Sequence, residues 1–182
     1  MEKDSTNISD PAIIVINNLE SARSSFQILL EELTEEDLNQ LSSNPGWTNN
    51  EIMAHILFGF IILNSLLPMA KILGRFPKNL TKPFSWLLNS FTRPFNWINK
   101  LGARLQGKVF TGKRMKKYMD QVVNSLKRKA ETIRKDEWQN GMFYPNKWDA
   151  NFDEFMTLEK LFNYPIVHFN FHKTQLSKRI EK

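Results

Sequence analysis

Residues 168–175 read His168-Phe169-Asn170-Phe171-His172-Lys173-Thr174-Gln175 in a chain of 182 residues. On a helix, histidines four positions apart lie about 40° apart around the axis and about 6 Å apart along it, so they share one face. The chain contains three histidines in all, and the third is His55. The three imidazoles either converge on one metal ion or serve as ordinary polar residues of two helices.

The sequence around each histidine position predicts a helix. Thr48 and Glu51 form a capping-box pattern directly ahead of an apolar run, which places His55 on the second turn of a helix and facing inward. The last helix is predicted to begin near Thr157. Pro165 lies one turn before the paired histidines and is expected to bend that helix.

Two further long helices complete the pattern. The first is predicted from Asp10-Pro11 to about Leu33, and the third from Gly112 to about Lys135, capped by Thr111. A short helical turn is expected within residues 34–41 and a turn at residues 44–46. No alternating strand pattern is present, and residues 136–153 are interpreted as a connector. The sequence therefore predicts an all-α fold, an antiparallel four-helix bundle in a single domain of residues 1–182.

An aromatic segment, residues 77–107, is inserted between the second and third long helices. Its apolar residues recur near helical spacing, which predicts one or two amphipathic helices joined at residues 92–94. Its aromatic and basic composition is typical of a helix at a membrane interface. The interpretation favoured here is a flap packed on the bundle, which would wall the site with apolar side chains and exclude water.

Composition narrows the functional classes. The chain has no cysteine, so it has neither disulfides nor thiolate ligands, and its polar start lacks the apolar core of a signal peptide. We expect a cytoplasmic protein. The uninterrupted apolar run at residues 56–63 is too short to span a membrane. The net charge of +6 permits anionic partners, but the basic face of the third long helix is interrupted by acids, so nucleic-acid binding is not expected.

The motifs resemble one known family. A helix start with Trp47, Thr48, Glu51 and His55, followed by a last helix with His168, His172 and Gln175, is similar to the DinB-like family of metal-binding four-helix proteins. That superfamily includes bacillithiol-type S-transferases and mycothiol-dependent maleylpyruvate isomerases.

The resemblance implies that His55, His168 and His172 bind one divalent metal ion, zinc or nickel, with open positions for water or a low-molecular-weight thiol. Gln175 is expected to hold one imidazole through the ring nitrogen that does not bind the metal. Glu51 is explained by its capping role, and the sequence identifies no catalytic residue. The inserted flap departs from the short connection found in many members.

Two functional hypotheses follow. In the first, the metal activates a thiol or water against a small electrophilic substrate, as in an S-transferase or a hydrolase. In the second, the protein is a non-catalytic binding module that works through the aromatic flap. The flap would either hold an apolar molecule or contact a membrane surface, and membrane contact is the less favoured of the two. A homodimer formed through the flap is a further expectation.

Overall fold

The computed structural model describes residues 10–110 and 112–177, and within residues 92–109 it leaves out the side chains of residues 95, 96, 98–100, 103, 104, 106 and 108. The elements, in chain order, are α1 (Pro11–Glu32), α2 (Glu35–Asn39), α3 (Asn49–Leu73), α4 (Lys78–Ser90), α5 (Thr92–Val109), α6 (Gly112–Glu131), a 3₁₀ turn (Lys135–Glu137), β1 (Gly141–Phe143), β2 (Phe155–Thr157) and α7 (Leu158–Lys173).

The four long helices α1, α3, α6 and α7 form the bundle. Helix α1 packs against α6 and α7, and α3 packs against the same two helices. The core between them is apolar and fully buried at positions such as Leu19, Phe26, Ile52, Met119 and Phe162. This arrangement confirms the predicted all-α four-helix fold, because each amphipathic helix buries its apolar stripe against two neighbours.

Side-chain caps fix where the histidine-bearing helices begin. The Thr48 hydroxyl accepts a hydrogen bond from Glu51 N at 3.2 Å, and the Glu51 carboxylate accepts one from Thr48 N at 2.8 Å. Thr157 caps α7 by accepting from Lys160 N at 3.2 Å. Both predicted starts are therefore confirmed. The predicted Thr111 cap lies outside the described residues.

The connector after α6 contains more structure than the sequence predicted. Helix α6 ends at Glu131, four residues before the predicted end, because Arg134 N donates to the Glu137 carboxylate instead of continuing the helical ladder. β1 and β2 form an antiparallel two-stranded sheet. A side chain on Gly141 would place its Cβ 2.3 Å from Met156 O, so this close pairing requires glycine.

Helix α3 is longer and more apolar as a whole than its central run suggests. Among the described helices, α3 alone has the length and hydropathy to cross a membrane. The uninterrupted apolar run at residues 56–63, which is too short to do so, is only the central part of this helix. Eleven of its residues are buried, including His55, and it packs against α5, α6 and α7. Burial in the bundle accounts for the apolar character of these buried positions.

The inserted flap consists of two helices, and the break between them lies at Phe91. The predicted junction at residues 92–94 is therefore misplaced, since these residues form the first turn of α5. Helix α4 lies on β1, where Thr81 accepts a hydrogen bond from Phe143 N at 3.1 Å and Ser85 donates to Tyr144 O at 2.7 Å. Helix α5 lies along α3. There Asn50 donates to the carbonyl of Gly107.

Candidate metal centre

The three histidines meet in the interior of the bundle. Their exposed fractions are 6% for His55, 3% for His168 and 8% for His172. The Nε2 atoms of His55 and His168 are 3.1 Å apart, and one candidate ligand nitrogen from each ring lies within 4.8 Å of the other two. Residues from α3 and α7, separated by 113 positions in sequence for the His55–His168 pair, thus form one cluster.

Gln175 determines how His172 presents its ring. The His172 Nδ1 atom lies 2.7 Å from Gln175 Oε1. Because an amide oxygen only accepts, Nδ1 carries the proton and donates, which leaves the Nε2 lone pair available as a ligand. The structure therefore places Gln175 behind the imidazole, in the position expected for a residue that orients a metal ligand.

The remaining polar atoms of the cluster are poorly satisfied. Nδ1 of His55 and Nδ1 of His168 are buried and have no hydrogen-bond partner among the described residues. Adjacent nitrogens in a tetrahedral zinc site lie about 3.3 Å apart, close to the 3.1 Å between the two Nε2 atoms. The three-imidazole donor set and its spacing are compatible with one divalent metal ion.

Burial keeps all three rings neutral. It lowers the pKa of His168 to about 3, with the neighbouring His172 adding to the effect. Burial also lowers the pKa of His55 well below its usual value, reinforced by the other two histidines, and lowers that of His172. Neutral imidazoles have a free lone pair, so at neutral pH the cluster is in the protonation state that metal binding requires.

A cavity of about 240 Å³ opens beside His55 and His168. Its walls are largely apolar, with Phe58, Ile62 and Leu66 from α3 and Phe152 from the connector among them. Two larger cavities, of about 320 and 400 Å³, contain none of the histidines. Among these three cavities, all lined by described residues, the smallest is the one that could bring a molecule to the cluster.

Two polar side chains in the cavity wall had not been identified from the sequence. Tyr164 Oη donates to Asp149 Oδ2 at 2.7 Å, while the backbone and side-chain nitrogens of Asn151 donate to Asp149 Oδ1 at 2.8 and 2.9 Å. Burial, and then the Asp149 charge, raise the pKa of Tyr164, so its hydroxyl keeps its proton. Three hydrogen bonds fix the Asp149 carboxylate in the wall.

The family model for the DinB superfamily matches residues 18–176, a span that includes all three histidines and Gln175. The chain belongs to the DinB superfamily. No curated protein and no solved structure matches it.

Of the other motif residues of this DinB-superfamily protein, Trp47 contacts the cluster directly, whereas Thr48 and Glu51 cap the helix that carries His55. The Trp47 ring contacts the His55 ring edge-to-face, with centroids 5.0 Å apart, and Trp47 is buried. The Glu51 carboxylate is engaged by the cap described above. A signal for Tyr164 was present in the sequence, because it precedes His168 by four residues and therefore shares its face. Asp149 gave no such signal, since it comes from the irregular connector.

Proposed function

We propose that this DinB-superfamily protein is a metal-dependent enzyme in which His55, His168 and His172 hold one divalent metal ion, zinc or nickel. The observation that supports this proposal is the convergence of three buried, neutral imidazoles beside an apolar cavity. A metal bound there would supply Lewis-acid activation of a low-molecular-weight thiol or of water for attack on a small electrophile. The reaction class is S-transferase-like or hydrolase-like.

The chain's own residues have distinct tasks in this scheme. Gln175 holds the proton on His172 Nδ1 and so leaves the Nε2 lone pair free to hold a metal ion. Asp149, fixed in the cavity wall by Tyr164 and Asn151, would accept the proton of a thiol or water bound in the cavity. The apolar walls favour an apolar electrophile and exclude bulk water.

Metal content tests the proposal directly. Protein purified without chelator and without a nickel affinity step should contain about one zinc or nickel ion per chain by elemental mass spectrometry, as three protein ligands and an open position predict. His172→Ala should lose tight binding. Asn170→Ala, at an exposed position on the same helix, should retain it.

Circular dichroism of the three proteins separates loss of the site from loss of the fold. Unchanged helical spectra with metal lost only in His172→Ala would support the assignment. A folded wild-type protein that takes up neither zinc nor nickel when either is offered would refute the metal site and the enzyme proposal with it.

A further inference from the structure

Most of the large apolar side chains of α4 face solvent rather than the bundle, whereas Leu88 is half-buried. The α4 residues that are buried are the polar Thr81 and Ser85. Its exposed large apolar residues, and the Phe91 cap that follows it, have exposed fractions between 37% and 75%. They are Leu80, Phe84, Trp86, Leu87 and Phe91. A flap that lined the site would bury these residues. Of the flap that was predicted to wall the site, Gly102 of α5 lines the cavity, whereas no residue of α4 does.

Helix α5 repeats this arrangement. Trp97, Leu101, Leu105 and Val109 recur every four residues and so form one stripe, and each is between 40% and 67% exposed. Where the structure describes it, the side of α5 toward α3 carries small residues. Gly107 lies against Glu51, where an added Cβ would be 2.8 Å from Glu51 Cγ. Each of the two inserted helices thus exposes aromatic and leucine side chains, and these side chains together are defined here as the α4–α5 surface.

The charge of this segment has one sign. Residues 78–109 contain no Asp or Glu, and neither does the longer stretch of residues 52–119. The basic residues within residues 78–109 are Lys78, Lys82, Arg93, Lys100, Arg104 and Lys108. Amphipathic helices with large aromatic and leucine side chains on one face and only cations among their charged residues are those that lie in the interface of anionic bilayers.

We propose that the α4–α5 surface docks this protein onto an anionic lipid bilayer, with Trp86 and Trp97 inserted at the level of the headgroups. Tryptophan is the side chain enriched at that depth. The cations attract the negative lipid surface, and the exposed leucines leave water for the acyl boundary. This inference is independent of the metal site.

A second copy of the chain fits the α4–α5 surface less well. In a symmetric dimer the same patch would meet itself, so the cations of one segment would face those of the other with no carboxylate from residues 78–109 between them. Nucleic acid would satisfy the cations but would leave the leucines of both helices without an apolar partner. An anionic bilayer satisfies the charge and the apolar surface together.

Docking would also bring the cavity close to lipid. Ile62 and Leu66 of α3 are each 37% exposed, and they line the cavity together with Gly102 of α5. The apolar wall of the cavity therefore borders the helix that would lie in the interface. An apolar molecule dissolved in the bilayer would have a short path to the cavity.

Vesicle cosedimentation of the full chain tests the proposal. The wild-type protein should bind vesicles containing roughly one-third phosphatidylglycerol, and binding should fall sharply at about 1 M salt, where the screening length is about 3 Å. Binding should shift the tryptophan emission to shorter wavelength. The double variant Trp86→Glu and Trp97→Glu should bind at least about tenfold more weakly, because it removes both aromatic anchors and adds repulsive charge.

The matched control is the double variant Ile13→Glu and Ile28→Glu. These isoleucines of α1 are 57% and 53% exposed, comparable to the exposed residues of α4 and α5, but α1 packs on α6 and α7. Its vesicle binding should equal that of the wild type. All positions changed in the two double variants are exposed, so circular dichroism should show the same helical content throughout.

Three outcomes would overturn the proposal. The first is no binding, or equal binding to pure phosphatidylcholine vesicles. The second is equal loss of binding in the two double variants. The third is a wild-type dimer in analytical ultracentrifugation that ignores vesicles and becomes monomeric in the Trp86→Glu and Trp97→Glu variant, which would assign the surface to contact between copies.

Discussion

Gln175 links the last turn after α7 to the cluster through one hydrogen bond. Replacing it by leucine would leave His172 Nδ1 without the acceptor that now lies 2.7 Å away. The ring could then adopt the other tautomer, so we expect zinc affinity to fall by about 10- to 100-fold. Competition titration with a chromogenic chelator measures this change.

Lys173→Ala provides the control for Gln175→Leu, since Lys173 is exposed and lies beside His172 in the sequence. Its metal affinity should match the wild type. If Gln175→Leu binds zinc as tightly as the control, the glutamine does not orient the ligand.

Asp149 is the side chain on which the proposed chemistry depends most. Asp149→Asn keeps the size of the group but removes its ability to accept a proton. We expect kcat for transfer of a low-molecular-weight thiol to monochlorobimane by the metal-loaded protein to fall by about 10²- to 10⁴-fold. Metal content should not change, because the three histidines are intact.

Tyr164→Phe distinguishes proton acceptance from positioning. It removes one of the hydrogen bonds to Asp149 but leaves the carboxylate, so its loss of activity should be smaller than that of Asp149→Asn. Equal losses would mean that the Tyr164 hydroxyl itself takes part in the reaction.

The contact between α3 and α7 depends on a glycine at the level of the cluster. A Cβ on Gly59 would lie 3.0 Å from His168 Nδ1 and 3.2 Å from its Cε1, so Gly59→Ala should displace the imidazole by a few tenths of an ångström. Alanine raises helix propensity by about 1 kcal/mol relative to glycine. We therefore expect zinc affinity to fall about tenfold while the free energy of unfolding changes little.

The variant Gly112→Ala is the comparison for Gly59→Ala, since a Cβ there meets nothing within 4 Å. Zinc titration and urea unfolding of both variants separate the two effects. A Gly59→Ala protein with wild-type zinc affinity would show that His168 has room to move without cost.

Among the helices and strands, the sequence predicted those whose residue pattern repeats over several turns. It did not predict those that depend on one close contact between two backbones. The caps at Thr48 and Thr157 and the periodic stripes of the long helices predicted the bundle. The three-residue strands β1 and β2 are too short to show alternation, and they depend on the close approach at Gly141. For α4, periodicity correctly predicted an amphipathic helix but could not say which face would be buried.

The metal-free molecule should lose stability in mild acid. In the unfolded chain the histidines have pKa values near 6.5, whereas burial holds the pKa of His168 near 3 and lowers the other two. Between these values the unfolded state binds more protons, so the free energy of unfolding falls as the pH falls. The slope should reach up to about 1.4 kcal/mol per pH unit for each histidine.

Urea unfolding of chelated protein between about pH 6.5 and 4.5 measures this slope. Glu137 contributes in a more acidic range, because its hydrogen bond from Arg75 lowers its pKa below the usual 4.5. His168→Gln should show a shallower slope than the wild type. A free energy of unfolding that is constant down to about pH 5 would contradict the burial of neutral imidazoles.

The distance in sequence between His55 and the other two histidines has a consequence for the order of events during synthesis. A nascent chain displays His55 long before His168 exists, and the two are separated by 113 residues. A domain generally folds as a unit, and this chain offers only one of the three histidines until α7 is made. On the proposed function, the metal ion would therefore be bound only after α7 has been synthesised.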